Sequence, residues 1–365
     1  MVPIYLCQFF SFPFFYTRTS NIIKITMIEV KSLVKIFRKP IRGKGVFGMI
    51  RTLFSRKYDE IRAVDDISFD IPEGQIVGYI GSNGAGKSTT IKMMCGILTP
   101  TSGKVLIDGK EPYLKRRIVA KDIGVVFGQK TQLWWDIPLI ESYRVLKEIY
   151  QVSDEDYNSR MEFLSSTLGI DEFLTQPVRT LSLGQRMRAD LAASMLHNPK
   201  ILFLDEPTIG MDVLVKEKIR QAIHALNAKY HTTVVLTTHD MEDIENLCSR
   251  IIMIEKGKVI YDGPIGNIKR RFGNIKTLTL TIPPSVDPSK VEPLSKDVEM
   301  EVDDDDGKVV IRFDADKVVL EEAVQYAFSK LHAIDMKIAD ISIEDVVKTI
   351  LSQQEEEKHA KAKKI

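Results

Sequence analysis

The feature that most constrains the fold of this 365-residue chain is the segment Gly81–Ser88, which reads GSNGAGKS. It satisfies the pattern G-x-x-x-x-G-K-[ST], and it lies between a predicted strand, Gln75–Ile80, and a predicted helix that extends to about Ile97. Backbone amides in such a loop close around phosphate oxygens, and the helix N-terminus adds a favourable dipole. The pattern predicts a phosphate-binding loop made of Gly81, Ser82, Asn83, Gly84, Ala85, Gly86, Lys87, Ser88 and Thr89, with Lys87 on the β- and γ-phosphates of ATP and Ser88 on Mg²⁺.

A pair of acidic residues, Asp205 and Glu206, follows the apolar run Ile201–Leu204, which predicts a buried strand. Adjacent residues of a strand point in different directions, so the two carboxylates are expected to have different partners. Asp205 is predicted to bind Mg²⁺, and Glu206 is predicted to act as the general base that accepts a proton from the attacking water. Carboxylates at a strand end are often only solvated. The phosphate-binding loop earlier in the chain favours the catalytic interpretation.

Between these two segments, Leu181–Arg186 reads LSLGQR and resembles the signature motif of the ABC ATPase family. In that family two subunits stack head to tail, and the signature serine and glycine of one subunit close over the γ-phosphate held by the other. The resemblance implies these roles for Ser182 and Gly184, with Gln185 also at the nucleotide. Leu183 stands where many members have glycine, and this departure leaves the serine and the glycine in place.

Three further residues match the family at their expected places in the chain. Gln129, after the predicted strand Ile123–Phe127, resembles the glutamine that contacts Mg²⁺ beside the permease surface. Asp212 is expected at the nucleotide, and His239 resembles the switch histidine that contacts the γ-phosphate. The resemblance assigns catalysis to Lys87, Gln129, Glu206 and His239, and it assigns Mg²⁺ binding to Ser88, Gln129 and Asp205.

Four aromatic residues have alternative interpretations. The family usually stacks an aromatic residue on adenine just after the first strand, and Phe37 has that position in the chain. Tyr58 has the right local spacing to Ala63 and Val64, so both residues remain candidates. Trp134 and Trp135 are expected either to pack in the core or to contact a permease helix.

The order of strands and helices predicts an α/β protein, with a mostly parallel core sheet, antiparallel β and helical subdomains, and a small C-terminal α+β domain. The apolar run near the N-terminus is too short to span a membrane, contains prolines and lacks a basic flank, so it is interpreted as a leader of doubtful structure. The predicted divisions are the leader at 1–26, the ABC ATPase domain at 27–265 with its helical subdomain at about 131–197, a small α+β accessory domain at 275–352 and a charged tail at 353–365.

The charge balance and the spacing of the cysteines restrict the partners and metal ions that are expected for this chain. Lysine and arginine total 51 against 50 for aspartate and glutamate, so no nucleic-acid partner is expected. Three cysteines without CxxC spacing fit a reducing compartment and argue against a zinc site.

A predicted insertion at 38–62 is strongly basic within this balanced chain. Inside it, a helix from about Val46 to Lys57 has an apolar stripe edged by positive charge. One interpretation is contact with an anionic membrane surface through residues 43–58. The alternative is a solvated loop whose stripe packs on its own domain. A similarly placed insertion occurs in polysaccharide-export ATPases of the family, which leaves a carbohydrate polymer among the cargoes considered.

The resemblance as a whole implies the ATP-hydrolysing subunit of an ABC transporter, most like the drug-export, daunorubicin-resistance type branch. It implies a homodimer or a paired ATPase subunit, a separate integral-membrane permease, and a cytoplasmic location on the inner face of the cell membrane. The alternative is an ABC ATPase that acts on ribosomes or DNA. Such proteins carry two phosphate-binding loops or a long coiled coil before the signature, and neither feature is present in this sequence. A P-loop kinase would have no use for a signature motif.

Overall fold

The computed structural model describes residues 26–40, 58–127, 130–271, 275–288, 291–292, 294–295, 298–303, 308–340 and 346. Gln129, the predicted membrane-contacting helix and the charged tail lie outside the described residues, as does the leader apart from Thr26. Predictions for those segments therefore stay predictions.

The first sheet is antiparallel and has the strand order β2-β1-β4, where β1 is Thr26–Pro40, β2 is Tyr58–Pro72 and β4 is Ser102–Ile107. Both ends of the predicted insertion belong to this sheet, because residues 38–40 of β1 pair with residues 58–60 of β2. The Arg38 guanidinium donates to Glu60 across the pair at 3.0 Å, an opposite-charge contact of the kind that stabilises neighbouring strands. The two ends of the predicted insertion therefore extend the β1–β2 hairpin.

The core sheet has six strands in the order β5-β6-β7-β3-β8-β9. Five of them run parallel, and β9 returns antiparallel beside β8. The parallel sheet predicted from the sequence is therefore confirmed. Its strands are β3 Ile76–Gly81, β5 Ile123–Phe127, β6 Ile201–Asp205, β7 Thr233–Thr237, β8 Arg250–Glu255 and β9 Lys258–Pro264.

Strand order in the core sheet determines where the site forms. The central strands β6, β7 and β3 are adjacent, and their apolar side chains are almost wholly buried. Their carboxyl ends therefore meet at one edge of the sheet, where ligands of open α/β sheets bind. The phosphate-binding loop, the two adjacent carboxylates and His239 all follow these three strands.

Helices surround the core sheet. Between β5 and β6 the structure has three α-helices and two short 3₁₀ turns, Asp171–Phe173 and Val178–Thr180, in the segment where helical periodicity was predicted. In the described part of the chain, no helix combines the length and the apolar character needed to cross a bilayer. The α-helices up to residue 271 are α1 Lys87–Met94, α2 Arg116–Asp122, α3 Leu139–Tyr150, α4 Asp154–Leu168, α5 Leu183–Met195, α6 Val213–Tyr230, α7 Met241–Leu247 and α8 Ile265–Arg271.

A third sheet follows α8 and is wholly antiparallel, with the order β11-β12-β10-β13. Alternate residues of its central strands, such as Leu278 and Ile311, are buried together with Tyr326 of the helix α9 in a core of their own. The elements are β10 Ile275–Thr281, β11 Val298–Asp303, β12 Lys308–Asp314, α9 Leu320–Ser329 and β13 Asp335–Asp340.

Candidate active site

The phosphate-binding loop joins β3 directly to α1. Gly86 has φ 108°, and a Cβ built on it would lie 2.4 Å from the carbonyl oxygen of Ala63 in β2. A Cβ on Gly81 would lie 2.2 Å from the carbonyl oxygen of Ile254 in β8. Only glycine permits these backbone approaches, so the pattern of glycines reflects the packing of the loop against two strands as well as room for phosphate.

Lys87 lies in the first turn of α1 and is 8% exposed. Its ammonium donates to the carbonyl oxygens of Gly81 at 2.6 Å and Ser82 at 3.1 Å, which holds it inside the loop. Burial lowers the pKa of Lys87, against the opposing effect of the carboxylates of Glu206 and Asp205 nearby. The loop is fixed on its other side by Ser82, whose hydroxyl donates to Glu255 at 2.6 Å.

The two carboxylates have different partners because Asp205 is the last residue of β6 and Glu206 follows it in a left-handed turn, which strand alternation did not predict. Asp205 accepts a hydrogen bond from the Thr237 hydroxyl at 2.6 Å. Glu206 accepts from His239, with 2.8 Å between Nε2 and Oε1. Glu206 also has φ 55°, a left-handed conformation that costs a non-glycine residue on the order of 1 kcal/mol. The turn is held there because the Glu206 amide donates to the Thr237 carbonyl at 2.9 Å.

Two clefts meet at Glu206. One, of about 470 Å³, is lined by Ser88 of α1, by Asp205 at the end of β6 and by the following Glu206, together with Lys92, Ile97, Phe127 and Lys130. The other, of about 450 Å³, includes His239 and the segment Thr208–Gly210 that follows β6. The structure therefore brings the phosphate-binding loop, both carboxylates and the histidine to one place.

The signature residues lie at the N-terminus of α5, outside both of these clefts. Ser182 is the N-cap, and it forms a capping box with Gln185. The Ser182 hydroxyl accepts from the backbone amide of Gln185 at 3.2 Å, and the side-chain oxygen of Gln185 accepts from the backbone amide of Ser182 at 2.9 Å. A Cβ on Gly184 would lie 2.8 Å from a Val215 methyl group. Gln185 therefore has a structural partner within its own turn.

Asp212 caps a helix. Its carboxylate accepts from the Val215 amide at 2.9 Å at the start of α6. Like the signature residues, Asp212 lies outside both clefts.

The two adenine candidates lie on opposite faces of the β1–β2 pair. Phe37 pairs directly with Ile61, and Tyr58 is three residues from Ile61 along β2. Because side chains alternate along a strand, only one of the two aromatic rings faces a given ligand. Ile61 is itself 51% exposed beside Phe37, and sequence reasoning did not single it out.

The aromatic pair after β5 is not in the core: Trp134 is 41% and Trp135 is 50% exposed. The interpretation as core packing is therefore wrong. The Trp134 amide donates to the Ser142 hydroxyl of α3 at 3.2 Å, and the Arg186 guanidinium lies 5.6 Å from the centre of the Trp135 ring. Trp135 thus contacts the helix that carries the signature.

Sequence reasoning missed two buried carboxylates near the site. Asp243 in α7 is fully buried and pairs with Arg220 of α6 at 2.7 Å. Asp190 in α5 is 5% exposed and accepts from the Thr131 hydroxyl at 2.9 Å and the Gln132 amide at 3.1 Å. Burial raises the pKa of Asp190 to about 6. Each lies in a helix among other charged residues, so no motif marks either one.

Comparison with known proteins agrees with this geometry. The sequence model of the family described as ABC transporter matches residues 64–209. The ABC transporter ATP-binding protein NatA of Bacillus subtilis is 32% identical over 215 residues, which cover 59% of this chain and 87% of NatA. The probable multidrug ABC transporter ATP-binding protein YbhF of Escherichia coli is 34% identical over 220 residues, 60% of this chain but 38% of YbhF.

Solved structures give the same result. The ATP-binding cassette MJ0796, described as a dimeric post-hydrolysis state bound to ADP and Pi, is 27% identical and superposes with a TM-score of 0.55 over 66% of this chain and 99% of that one. The cbiO1 protein of Clostridium perfringens, described as part of the ABC transporter complex cbiONQ, is 24% identical with a TM-score of 0.55 over 68% of this chain and 94% of that one, a likeness in fold.

The chain therefore belongs to the family of ABC transporter ATP-binding proteins. It has the ABC ATPase fold and is an enzyme that binds and hydrolyses ATP.

Proposed function

We propose that the chain is one of two ATPase subunits that stack head to tail and drive a separate membrane permease in export. The observation that carries this proposal is that Ser182 and Gly184 of the signature do not line the clefts that hold Glu206, although Leu183 lies beside Gly210 of one cleft. Ser182 is exposed at the start of α5 and does not line either cleft beside Glu206. A second subunit supplies the missing side of the site, as the family resemblance implies.

Exposed apolar side chains around Asp212 support the same dimer. Val213 is 71% and Leu214 is 78% exposed at the start of α6, and Ile209, shortly before them in the chain, is also exposed. Leu183 of the signature is exposed as well. Apolar groups next to polar nucleotide-binding residues are typical of surfaces that become covered by a partner. The subunit opposite is a second copy or a paired ATPase subunit.

Within the proposed site, Glu206 accepts the proton of the attacking water, and His239 holds Glu206 and contacts the γ-phosphate. Lys87 binds the β- and γ-phosphates. The residues present fit Mg²⁺, because the Ser88 hydroxyl and the Asp205 carboxylate line one cleft and supply the oxygen ligands that this ion prefers. When bound, Mg²⁺ neutralises charge on the phosphates. Gln129 is the third proposed ligand.

Trp134 and Trp135 are the proposed contact with the permease. They are exposed, they come shortly after β5 and Gln129 in the chain, and Trp135 contacts the helix that carries the signature. The cargo would be selected by the permease, since the ATPase does not contact it. We place the protein on the cytoplasmic face of the membrane, and export follows the resemblance to the drug-export branch.

The composite site predicts that ATPase activity per subunit depends on protein concentration. We expect specific activity to fall as the purified protein is diluted below the dissociation constant of a weak homodimer. Lys87→Ala at each concentration provides the background. Constant specific activity well below micromolar concentration would contradict the composite site for the isolated chain.

A further inference from the structure

One carboxylate ties together the two turns that carry the proposed catalytic residues. Asp243 lies in the first turn of α7 and has no exposed surface. Its Oδ1 accepts from Nε of Arg220 in α6 at 2.7 Å, and Arg220 is itself only 3% exposed. Its Oδ2 accepts from the hydroxyl of Thr208, which follows Glu206 by two residues, and from the hydroxyl of Thr238 at 3.3 Å.

These bonds connect directly to the reacting groups. Thr238 immediately precedes His239, and the Thr238 hydroxyl also accepts from the Asp240 amide at 3.0 Å, which fixes the turn that carries the histidine. Thr208 fixes the turn that carries Glu206. The distance of 2.8 Å between His239 and Glu206 therefore depends on two turns that are both hydrogen-bonded to Asp243.

We infer that Asp243 is a positioning residue for ATP hydrolysis, acting through Thr208 and Thr238 to hold Glu206 against His239. This inference rests on the proposed role of Glu206 as the base. The threonine hydroxyls are not required to neutralise the buried charge of Asp243, because Arg220 already does so. The hydroxyls of Thr208 and Thr238 both donate to Oδ2 of Asp243, the oxygen that Arg220 does not contact through Nε. The two threonines lie in the segments that carry Glu206 and His239, whose relative placement matters for catalysis.

The test is designed to leave the ion pair intact. Thr208→Val removes one hydroxyl with little change in shape and keeps Arg220 and Asp243 together. We expect kcat for ATP to fall about tenfold or more, while KM for ATP changes by less than about twofold, because the phosphate-binding loop is untouched. Thr208→Ser keeps the hydroxyl and is expected to restore kcat to within about twofold of the native protein.

Asp243→Asn is the second variant, and Asp262→Asn is its control. Asp262 forms a bidentate pair with Arg250 at 2.7 and 2.8 Å between β8 and β9, and it does not line either cleft. We expect Asp243→Asn to lose kcat and Asp262→Asn to retain it, with folding of each checked by circular dichroism. If Asp243→Asn does not fold, the two Thr208 variants decide.

Native kcat in folded Thr208→Val would overturn the inference, and so would a loss that Thr208→Ser fails to restore or a parallel loss of ATP affinity. Glu206→Gln is measured beside them. If it still turns over, the proposed base is wrong. If it is inactive while Thr208→Val is fully active, only the positioning role of Asp243 fails.

Discussion

Asp190 is a carboxyl group in an environment that favours its neutral form. Burial raises its pKa from 3.8 to about 6, and the hydrogen bonds from Thr131 and Gln132 offset only part of that effect. Between pH 4 and 6 the folded protein therefore binds more protons at this site than the unfolded chain does. Stability contributed by Asp190 is largest at low pH and is lost as pH rises to about 6.

Replacement by a group that does not titrate isolates this effect. We expect the free energy of unfolding of Asp190→Asn, relative to the native protein, to rise by up to about 3 kcal/mol between pH 4 and pH 6.5. His197, whose pKa burial lowers to about 4, acts in the opposite direction but is present in both proteins. Urea unfolding at several pH values measures the difference, and a difference that does not change with pH would show that Asp190 has an ordinary pKa.

The residues that could be predicted from the sequence are those with a fixed local pattern. Lys87 is recognisable because its neighbours in the chain form the loop, and Glu206 because an apolar strand precedes it. Asp243 and Arg220 are 23 residues apart, on different helices, and become partners only through tertiary packing. Charges in helices are usually solvated, so no local signal separates this buried pair from surface residues.

The elements of the core were predictable because buried parallel strands are short apolar runs and the helices between them are periodic. The strands β5 and β6 begin at the predicted residues, Ile123 and Ile201. The long hairpin of β1 and β2 was not predicted in full. At residues 38–40 and 58–60, charged residues of the two strands pair with each other, such as Arg38 with Glu60. The sequence there lacks the alternating apolar residues that indicate a strand.

The helix α5 begins at a residue with two proposed roles, since Ser182 caps the helix and is expected to contact the γ-phosphate of the opposite subunit. Ser182→Ala should lower stability by about 1 kcal/mol, whereas Ser182→Asn supplies another good cap and should lower it little. Both variants lack the hydroxyl, so both should lose ATPase activity by at least about tenfold. Thermal unfolding and phosphate release separate the roles. A fully active Ser182→Asn would show that the hydroxyl is not needed at the nucleotide.

At the scale of the whole molecule, the subunit carries two groups of nucleotide-binding residues that do not meet in the same cleft. Lys87, Asp205, Glu206 and His239 gather at the carboxyl ends of three adjacent strands, and the signature lies at the start of α5, outside the clefts that they form. Beyond α8, the antiparallel sheet and α9 have a core of their own, while Val346 is buried in the core that contains the parallel sheet. The central claim is that two subunits share each ATP.

Glu206→Gln tests that claim most directly, because the amide keeps the shape of the base but cannot accept the proton of the water. Sedimentation velocity with and without ATP should show Glu206→Gln as a monomer without ATP and as a dimer with saturating ATP. The double variant Glu206→Gln with Ser182→Arg should bind ATP and remain monomeric, since the arginine would obstruct the shared γ-phosphate. A Glu206→Gln protein that stays monomeric at saturating ATP, or that still hydrolyses ATP at the native rate, would contradict the account.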